Sequence, residues 1–203
     1  TLYNYSFRQM VDMKSRIDLA GGKERFCGLL DRFFGYGAPD TVQPTDPDDY
    51  SPVAEGIKLG RFEGFNNESD TEAPFTYTLA GRHDRTCEII RAGLEYMFAE
   101  GAGGIPGNND SGALSSLYVL AAVGLFPVAG QDLFILASPI VSSAKIRLWN
   151  GNTLEIRVLN QSDENIYVSS ASFNGKSFND FTVPASELMN GGVLEFIQSD
   201  KTA

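Results

Sequence analysis

The hydrophobic pattern of this 203-residue chain changes from a helical period to a strand period near residue 128. Before that point, apolar residues recur three and four positions apart, which is typical of the buried face of an amphipathic helix. Beyond it they alternate with polar residues between turns rich in Asn and Gly, which is typical of half-buried β-strands. The pattern predicts an α+β chain of two domains, a helical one over residues 1–128 and an antiparallel, sandwich-like β region over residues 129–203.

The helical part begins with a predicted helical hairpin from Phe7 to Phe34. Its two amphipathic stretches are separated by Gly21-Gly22, and the second stretch is followed by Gly35. Glycine is frequent just after a helix C-terminus because it adopts a positive φ angle at little steric cost. Residues 37–60 carry four prolines and follow neither period, which predicts a long loop.

Three more helices are predicted beyond this loop, over about residues 72–80, 83–99 and 111–123, the last with Asp110 or Ser111 as its N-cap. Pairs of helices therefore recur about every 30 to 40 residues, which suits either a solenoid or an α/α toroid. The repeat spacing by itself does not separate these two architectures.

In the β part, alternating stretches predict strands over residues 133–136, 145–149, 154–158, 166–168 and 193–196. Two dipeptides between them, Asn150-Gly151 and Asn174-Gly175, indicate hairpins, because tight hairpin turns require positive φ angles that Asn and Gly tolerate.

Charge and hydropathy exclude two classes of partner. The net charge is −10, from 26 acidic and 16 basic residues, so the chain offers no basic surface for a nucleic-acid backbone. No apolar run reaches the roughly 18 residues that a membrane-spanning helix needs. Neither nucleic acid nor a membrane is an expected partner.

Histidine and cysteine chemistry is limited by how few of these residues there are. His83 is the only histidine, so neither a Ser-His-Asp triad nor a multi-histidine metal site can be built from this chain. Cys27 and Cys87 lack metal-ligand spacing and are predicted to be buried free thiols rather than a disulfide. The candidate sites that remain are those built from carboxylate and amide side chains.

A glycine-rich segment from Gly101 to Gly112 contains one candidate catalytic carboxylate, Asp110. Five glycines and a proline in twelve residues allow the backbone to turn sharply and to aim Asn108 and Asp110 at one point. The same residues would equally suit an ordinary N-cap, since Asn, Asp and Ser are the preferred capping residues. The pattern leaves both interpretations open.

A second candidate segment, residues 61–72, combines aromatic rings with oxygen-bearing side chains. Its amides and carboxylates are the ligands that Ca²⁺ prefers, although their spacing is not that of an EF-hand. Glu68 and Asp70 also fit a simpler interpretation, as acids in the first turn of a helix, where they interact favourably with the helix dipole. Together the two segments suit sugar chemistry, because glycoside hydrolysis requires a pair of carboxyl groups.

Several motifs in the same order resemble those of glycoside hydrolase family 92. They are the run Glu63–Tyr77, Ala80-Gly81-Arg82, Gly104–Gly112, Ser115–Tyr118, Gly124–Pro127, Asn174-Gly175-Lys176 and Met189–Gly192. Thr1–Phe7 also resembles the stretch that immediately follows the general-acid Glu of the family. With it, the resemblance covers nearly the whole chain.

The resemblance implies an exo-acting α-mannosidase that inverts the anomeric configuration and uses Ca²⁺. The implied fold is an (α/α)6 toroid with β-sandwich structure, of which the helical hairpins here would form the last part. Asp110 matches the general base of the family, and Asn108 matches the residue that helps to position the attacking water. The resemblance also implies that Asn66, Asn67 and Glu68 bind the substrate, and that Asn67 and Glu68 lie at the calcium ion.

The same resemblance places the general-acid Glu of the family about two residues before Thr1. This chain is therefore expected to be inactive alone and to need the N-terminal part of its polypeptide as a partner, with mannose-containing glycans as substrates. The alternative is a non-catalytic carbohydrate-binding or scaffold relative of the same fold. Four N-x-[ST] sequons, at Asn4, Asn67, Asn109 and Asn160, favour a secreted or extracytoplasmic protein.

Overall fold

In the computed structural model, the described residues are Phe7, residues 10–36, Phe65 and residues 68–202. The predicted loop over residues 37–60 lies outside them. Contacts divide the chain into two compact units, residues 1–118 and 119–203. The predicted domain boundary after residue 128 stays a prediction.

The first unit is helical in its described parts. Its helices are α1 (Met13–Leu19), α2 (Lys23–Phe34), α3 (Glu68–Thr71), α4 (Ala73–Ala80) and α5 (His83–Tyr96), followed by a 3₁₀ turn (Asp110–Gly112) and α6 (Ala113–Ala122), which continues into the second unit. The predicted pair of helices on either side of Gly21-Gly22 is confirmed, although the first helix begins at Met13 and not near Phe7. Gly21 and Gly22 have φ angles of 97° and 102° between α1 and α2, and Gly35, at 89°, ends α2.

Helices α4 and α5 lie in the interior of this unit. Almost every residue of α4 is buried, and so are His83 and every residue of α5 from Arg85 to Leu94. A helix that is buried on all sides belongs to the centre of a packed domain rather than to its surface. The inner position of these helices is compatible with a toroid, but the toroid itself stays a prediction.

Beyond the end of α6, the described residues of the second unit form eight strands and one short helix. The strands are β1 (Leu125–Pro127), β2 (Phe134–Leu136), β3 (Ser143–Arg147), β4 (Thr153–Leu159), β5 (Tyr167–Phe173), β6 (Lys176–Ser177), β7 (Thr182–Val183) and β8 (Gly192–Ser199), and the helix is α7 (Ala185–Leu188). They form a three-stranded sheet in the order β1-β2-β7 and a five-stranded sheet in the order β3-β4-β8-β5-β6. The α+β class is confirmed.

The prediction of a purely antiparallel β region is wrong for one pair of strands. β8 lies between β4 and β5, antiparallel to β5 but parallel to β4. Parallel neighbours need a long connection, and here it contains three strands and α7. The five-stranded sheet is therefore mixed.

Both predicted hairpins are present. Asn174 and Gly175 have φ angles of 49° and 81° and form the two-residue turn between β5 and β6, as expected of a turn with two positive φ angles. Asn150-Gly151 lies in the turn between β3 and β4.

The predicted thiols are confirmed, since Cys27 and Cys87 are both free and buried. Across the described residues, no helix has the length and apolar character that crossing a membrane requires.

Candidate functional site

The glycine-rich segment closes into a tight loop directly after α5. Ala99 N donates to Gly104 O at 2.9 Å, and Gly104 N donates to Gly101 O at 3.1 Å. A Cβ atom added at Gly104 would overlap the carbonyl oxygen of Ala99. Only glycine can occupy this position without opening the loop that leads to Asp110.

Asn109 holds the turn that carries Asp110. Its main-chain carbonyl accepts hydrogen bonds from Gly112 N at 2.6 Å and Ala113 N at 2.9 Å. Its side-chain Oδ1 accepts two more from Ser115, from N at 2.9 Å and from Oγ at 3.2 Å. The 3₁₀ turn is thereby closed, and one of the orphan amides of α6 is satisfied.

The predicted N-cap, Asp110 or Ser111, is therefore wrong. The 3₁₀ turn over Asp110–Gly112 delays the start of α6 to Ala113, so the amide that needs a partner is that of Ser115. The Asn109 side chain reaches this amide across the turn. The capping residue of α6 is therefore Asn109 and not Asp110.

The Asp110 carboxylate is exposed to solvent, as is the Asn108 side chain. Among the described residues, none donates a hydrogen bond to this carboxylate or forms an ion pair with it. The following residue, Ser111, has a φ angle of 54°, in the left-handed region that non-glycine residues rarely adopt. Within the described part of the chain, the backbone of the turn is what fixes where the carboxylate lies.

Phe65 anchors the other candidate segment. Its side chain is only 2% exposed, and its φ angle is 53°. A Cβ atom added at Gly93 of α5 would lie within 2.8 Å of three carbons of the Phe65 ring. The ring therefore lies directly on the backbone of α5, in space that only a glycine leaves open.

The residues that follow Phe65 are described only in part. Asn66 and Asn67 lie outside the described residues, and so does the side chain of Glu68, whose backbone begins α3. Where the structure describes the chain, no group of three or more His, Cys, Asp or Glu side chains could hold a metal ion. The substrate and calcium contacts of these three residues stay predictions.

An aromatic bridge joins the two candidate segments. The ring centroid of Phe98 lies 6.5 Å from that of Phe65 and 5.0 Å from that of Tyr118 on α6. These separations are within the range in which aromatic rings attract one another. Phe65 belongs to the second candidate segment, residues 61–72, and α6 begins just after the turn that carries Asp110 in the first. The helical unit therefore packs the supports of both segments together.

A buried polar network lies between α2, α4 and α5. Arg85, which is 2% exposed, donates from Nη1 to Glu88 Oε2 at 3.2 Å and stacks its guanidinium 3.6 Å above the Tyr36 ring. Tyr36 donates to the same Glu88 oxygen, and Tyr77 donates to Asp31 Oδ1 at 2.7 Å. Burial raises the pKa of Tyr36 and of Tyr77 well above the ordinary value, so both remain donors.

His83 belongs to a second buried chain of hydrogen bonds, and its tautomer follows from them. Thr86 donates to the Pro74 carbonyl at 2.8 Å, and Thr78 donates to Thr86 at 2.8 Å. With its only hydroxyl proton used, Thr78 must accept the 3.0 Å bond from His83 Nδ1. Nε2 then faces the Cys87 thiol at 3.5 Å as an acceptor.

Comparison with known proteins gives a consistent result. The model of the glycosyl hydrolase family 92 catalytic domain matches residues 1–200. A protein of Arthroderma benhamiae, described as an uncharacterized secreted glycosidase, is 29% identical over 187 residues, which are 91% of this chain and 21% of that protein.

Two solved structures from Bacteroides thetaiotaomicron superpose on nearly the whole chain. A family GH92 α-mannosidase in complex with mannoimidazole has a TM-score of 0.78 and 25% identity, over 98% of this chain and 25% of its own. A family GH92 inverting mannosidase has a TM-score of 0.80 and 22% identity, over 98% and 27%, which shows a shared fold.

The chain thus spans about a quarter of the length of these relatives. The family model nevertheless matches almost every residue, and the motifs around Phe65 and Asp110 lie within the match. The chain belongs to glycosyl hydrolase family 92.

Proposed function

We propose that this chain forms part of an inverting exo-α-mannosidase that removes terminal α-linked mannose from glycans, with Asp110 as the general base. The observation that carries the proposal is the Asp110 carboxylate, which is exposed and engaged by no described side chain on a turn whose backbone is fixed. A general base needs an accessible lone pair in a defined position. The 25% identity to a mannosidase that binds mannoimidazole supports mannose as the sugar.

Inverting hydrolysis assigns separate tasks to the residues of this turn. Asp110 takes a proton from water as the water oxygen bonds to the anomeric carbon, and an acid on the opposite side protonates the departing glycosidic oxygen. The two carboxyl groups must be roughly 6.5–9.5 Å apart to leave room for that water. Asn108, two residues before the base and also exposed, would hold the water by its amide. The acid, a Glu by family resemblance, would come from residues before Thr1.

The donor chemistry of the second segment suits Ca²⁺, since Asn67 offers an amide oxygen and Glu68 a carboxylate. Asn67 and Glu68 would hold the ion, and Asn66 would contact the sugar beside them. A bound Ca²⁺ would supply a hard cation for two adjacent hydroxyls of mannose. Phe65, seated on Gly93, fixes the start of this segment.

An extracytoplasmic location is part of the proposal. The relative from Arthroderma benhamiae is described as secreted, and a secreted enzyme would meet mannose-containing glycans outside the cell.

Replacement of Asp110 tests the proposal in the intact polypeptide that carries this chain. We expect Asp110→Asn and Asp110→Ala to lower kcat roughly 10²- to 10⁴-fold, because the base acts on water in the rate-limiting displacement. Mannose release from α-1,2, α-1,3 and α-1,6 disaccharides would be measured with and without a calcium chelator, and the anomer formed would be identified by NMR.

Asp163→Asn, at an exposed carboxylate of the second unit, is the matched control and should keep parental turnover. An activated aryl mannoside should not rescue Asp110→Asn, because the base is still needed for the attacking water. Normal turnover by Asp110→Asn would refute the base assignment. A parent protein that binds these sugars without cleaving them would indicate the non-catalytic alternative.

A further inference from the structure

We propose that Asn109 is a positioning residue for the Asp110 carboxylate, which it places by closing the turn and capping α6 without touching the substrate. The inference rests on the proposed role of Asp110. It assigns a function to a residue that lies between two candidate catalytic residues and resembles a plain linker in the sequence.

The first observation concerns the surroundings of the Asp110 carboxylate. No described side chain bonds to its carboxylate, which is exposed. The usual way to orient a catalytic carboxylate is a hydrogen bond to one of its oxygens, and here that means is absent from the described residues. Of the described parts of the chain, the backbone of residues 109–113 is the one that sets the position of the carboxylate.

The second observation is that Asn109, which precedes Asp110, accepts hydrogen bonds from the residues that follow Asp110. Its main-chain carbonyl receives the amides of Gly112 and Ala113, and its Oδ1 receives the amide and the hydroxyl of Ser115. Asp110 thus lies in the short loop that these hydrogen bonds to Asn109 close. Loss of the side-chain bonds would release α6 from the turn and free Ser111 from its left-handed conformation.

The third observation is that the second unit contains a natural counterpart of the same cap. Asp132 Oδ1 accepts from Ser186 N at 2.6 Å, and Oδ2 accepts from Ser186 Oγ at 2.7 Å, at the start of α7. One serine thus donates its amide and hydroxyl in each case, but no candidate site residue lies beside Asp132. The two caps allow positioning to be separated from simple stabilisation.

Four variants of the intact polypeptide test the inference, assayed with a mannose disaccharide that the parent cleaves. Asn109→Ala should lower kcat roughly 10- to 100-fold with KM changed less than about twofold, since a displacement near 1 Å at a reacting group is enough for such a loss. Asn109→Asp keeps both acceptor bonds and should restore kcat to within about fivefold of the parent. Its added charge lies at a helix N-terminus, where negative charge is favourable.

Asn109→Ser separates the two roles of the Asn109 side chain, capping of α6 and positioning of Asp110. Serine is a good capping residue, so Tm should stay near that of the parent. Its shorter side chain can reach Ser115 only if the turn moves, so kcat should fall. Asp132→Ala should lower Tm as Asn109→Ala does and leave kcat unchanged. This set remains informative even if Asn109→Ala fails to fold.

Parental kcat in Asn109→Ser, or in a folded Asn109→Ala, beside an inactive Asp110→Asn would overturn the inference and leave the proposed function intact. A fall in kcat for Asp132→Ala equal to that for Asn109→Ala would also overturn it, because loss of stability would then explain both. Normal turnover in Asp110→Asn would refute the proposed function itself, and the positioning role with it.

Discussion

His83 is held as a neutral imidazole by its surroundings. Burial lowers its pKa to about 3, against the smaller opposing effect of the Asp84 charge. Protonation would place a cation in the buried interior of α5 and would remove the acceptor that Nε2 presents to Cys87. The single histidine of the chain is therefore a structural residue and not a proton-transfer group.

This burial predicts how stability depends on pH. Above pH 6.5, His83 is neutral in both the folded and the unfolded protein, so its contribution is complete. Between pH 6.5 and about 3, only the unfolded chain binds the proton, and stability falls by up to about 1.4 kcal/mol per pH unit. Thermal unfolding of the parent between pH 7 and pH 5 should show this decline.

The matched variant is His83→Gln, which cannot titrate in this window. It should be less stable at pH 7, because the hydrogen bonds from Nδ1 and to Nε2 are lost, but its stability should depend less on pH. Equal pH dependence in both proteins would contradict the neutral burial of His83.

At the scale of an element, the close approach of Phe65 to α5 reverses the usual effect of a glycine substitution. A Gly→Ala substitution inside a helix normally stabilises the folded protein by roughly 0.5–1 kcal/mol. At Gly93 the new methyl group would overlap the Phe65 ring, so Gly93→Ala should destabilise by roughly 1–3 kcal/mol. Because Phe65 precedes the proposed calcium ligands, calcium affinity, measured by calorimetry, should fall as well.

Gly28 of α2 provides the control. No described atom lies within 4 Å of a Cβ added there. Gly28→Ala should therefore raise Tm and leave calcium affinity unchanged. If Gly93→Ala were as stabilising as Gly28→Ala, the contact between Phe65 and α5 would be disproved.

The network around Arg85 makes a prediction about α2, α4 and α5 together. Arg85→Met would remove the Arg85 cation from the buried Glu88 carboxylate, and breaking a buried ion pair in this way typically costs about 3–5 kcal/mol. Replacing both residues by apolar ones should recover much of this loss, since two well-packed apolar side chains need no charge compensation. Chemical denaturation of the single and double variants would measure both effects.

Lys14→Met is the comparison variant, because Lys14 and Asp18 form an exposed pair on α1, 87% and 62% accessible. Solvent screens such a pair, so no measurable loss of stability is expected. A similar loss in Lys14→Met and Arg85→Met would show that burial of the network is not what makes it important.

Across the whole molecule, local patterns predicted the elements better than their partners. Alternation predicted β2, β3, β4, β5 and β8, and the Asn-Gly dipeptides predicted both hairpins, because these signals depend on adjacent residues. Three strands of only two or three residues, β1, β6 and β7, were missed, since so short a stretch shows no clear alternation. The parallel pairing of β4 with β8 could not be predicted, since the inward faces of parallel and antiparallel strands alternate alike. Pairing across more than thirty residues is decided by packing.

The same distinction applies to the candidate site. Asp110 and Asn108 are predicted as site residues because family motifs surround them, and their roles stay predictions. Asn109 was missed as the cap, because the 3₁₀ turn that shifts the start of α6 leaves no mark in the periodicity. Arg85 and Glu88 were missed because charged residues three apart on a helix ordinarily indicate a solvated face. They belong instead to a buried polar network, and the reason is that α5 is buried on all sides.

The central place of β8 in its sheet has a consequence for synthesis on the ribosome. The β3-β4 and β5-β6 hairpins are made first, yet each pairs with β8 and not with the other. Until residue 199 has emerged, β4 and β5 both present unpaired edges, which are sites for pairing with other chains. The five-stranded sheet of the second unit is therefore complete only after β8, its last strand, has been translated.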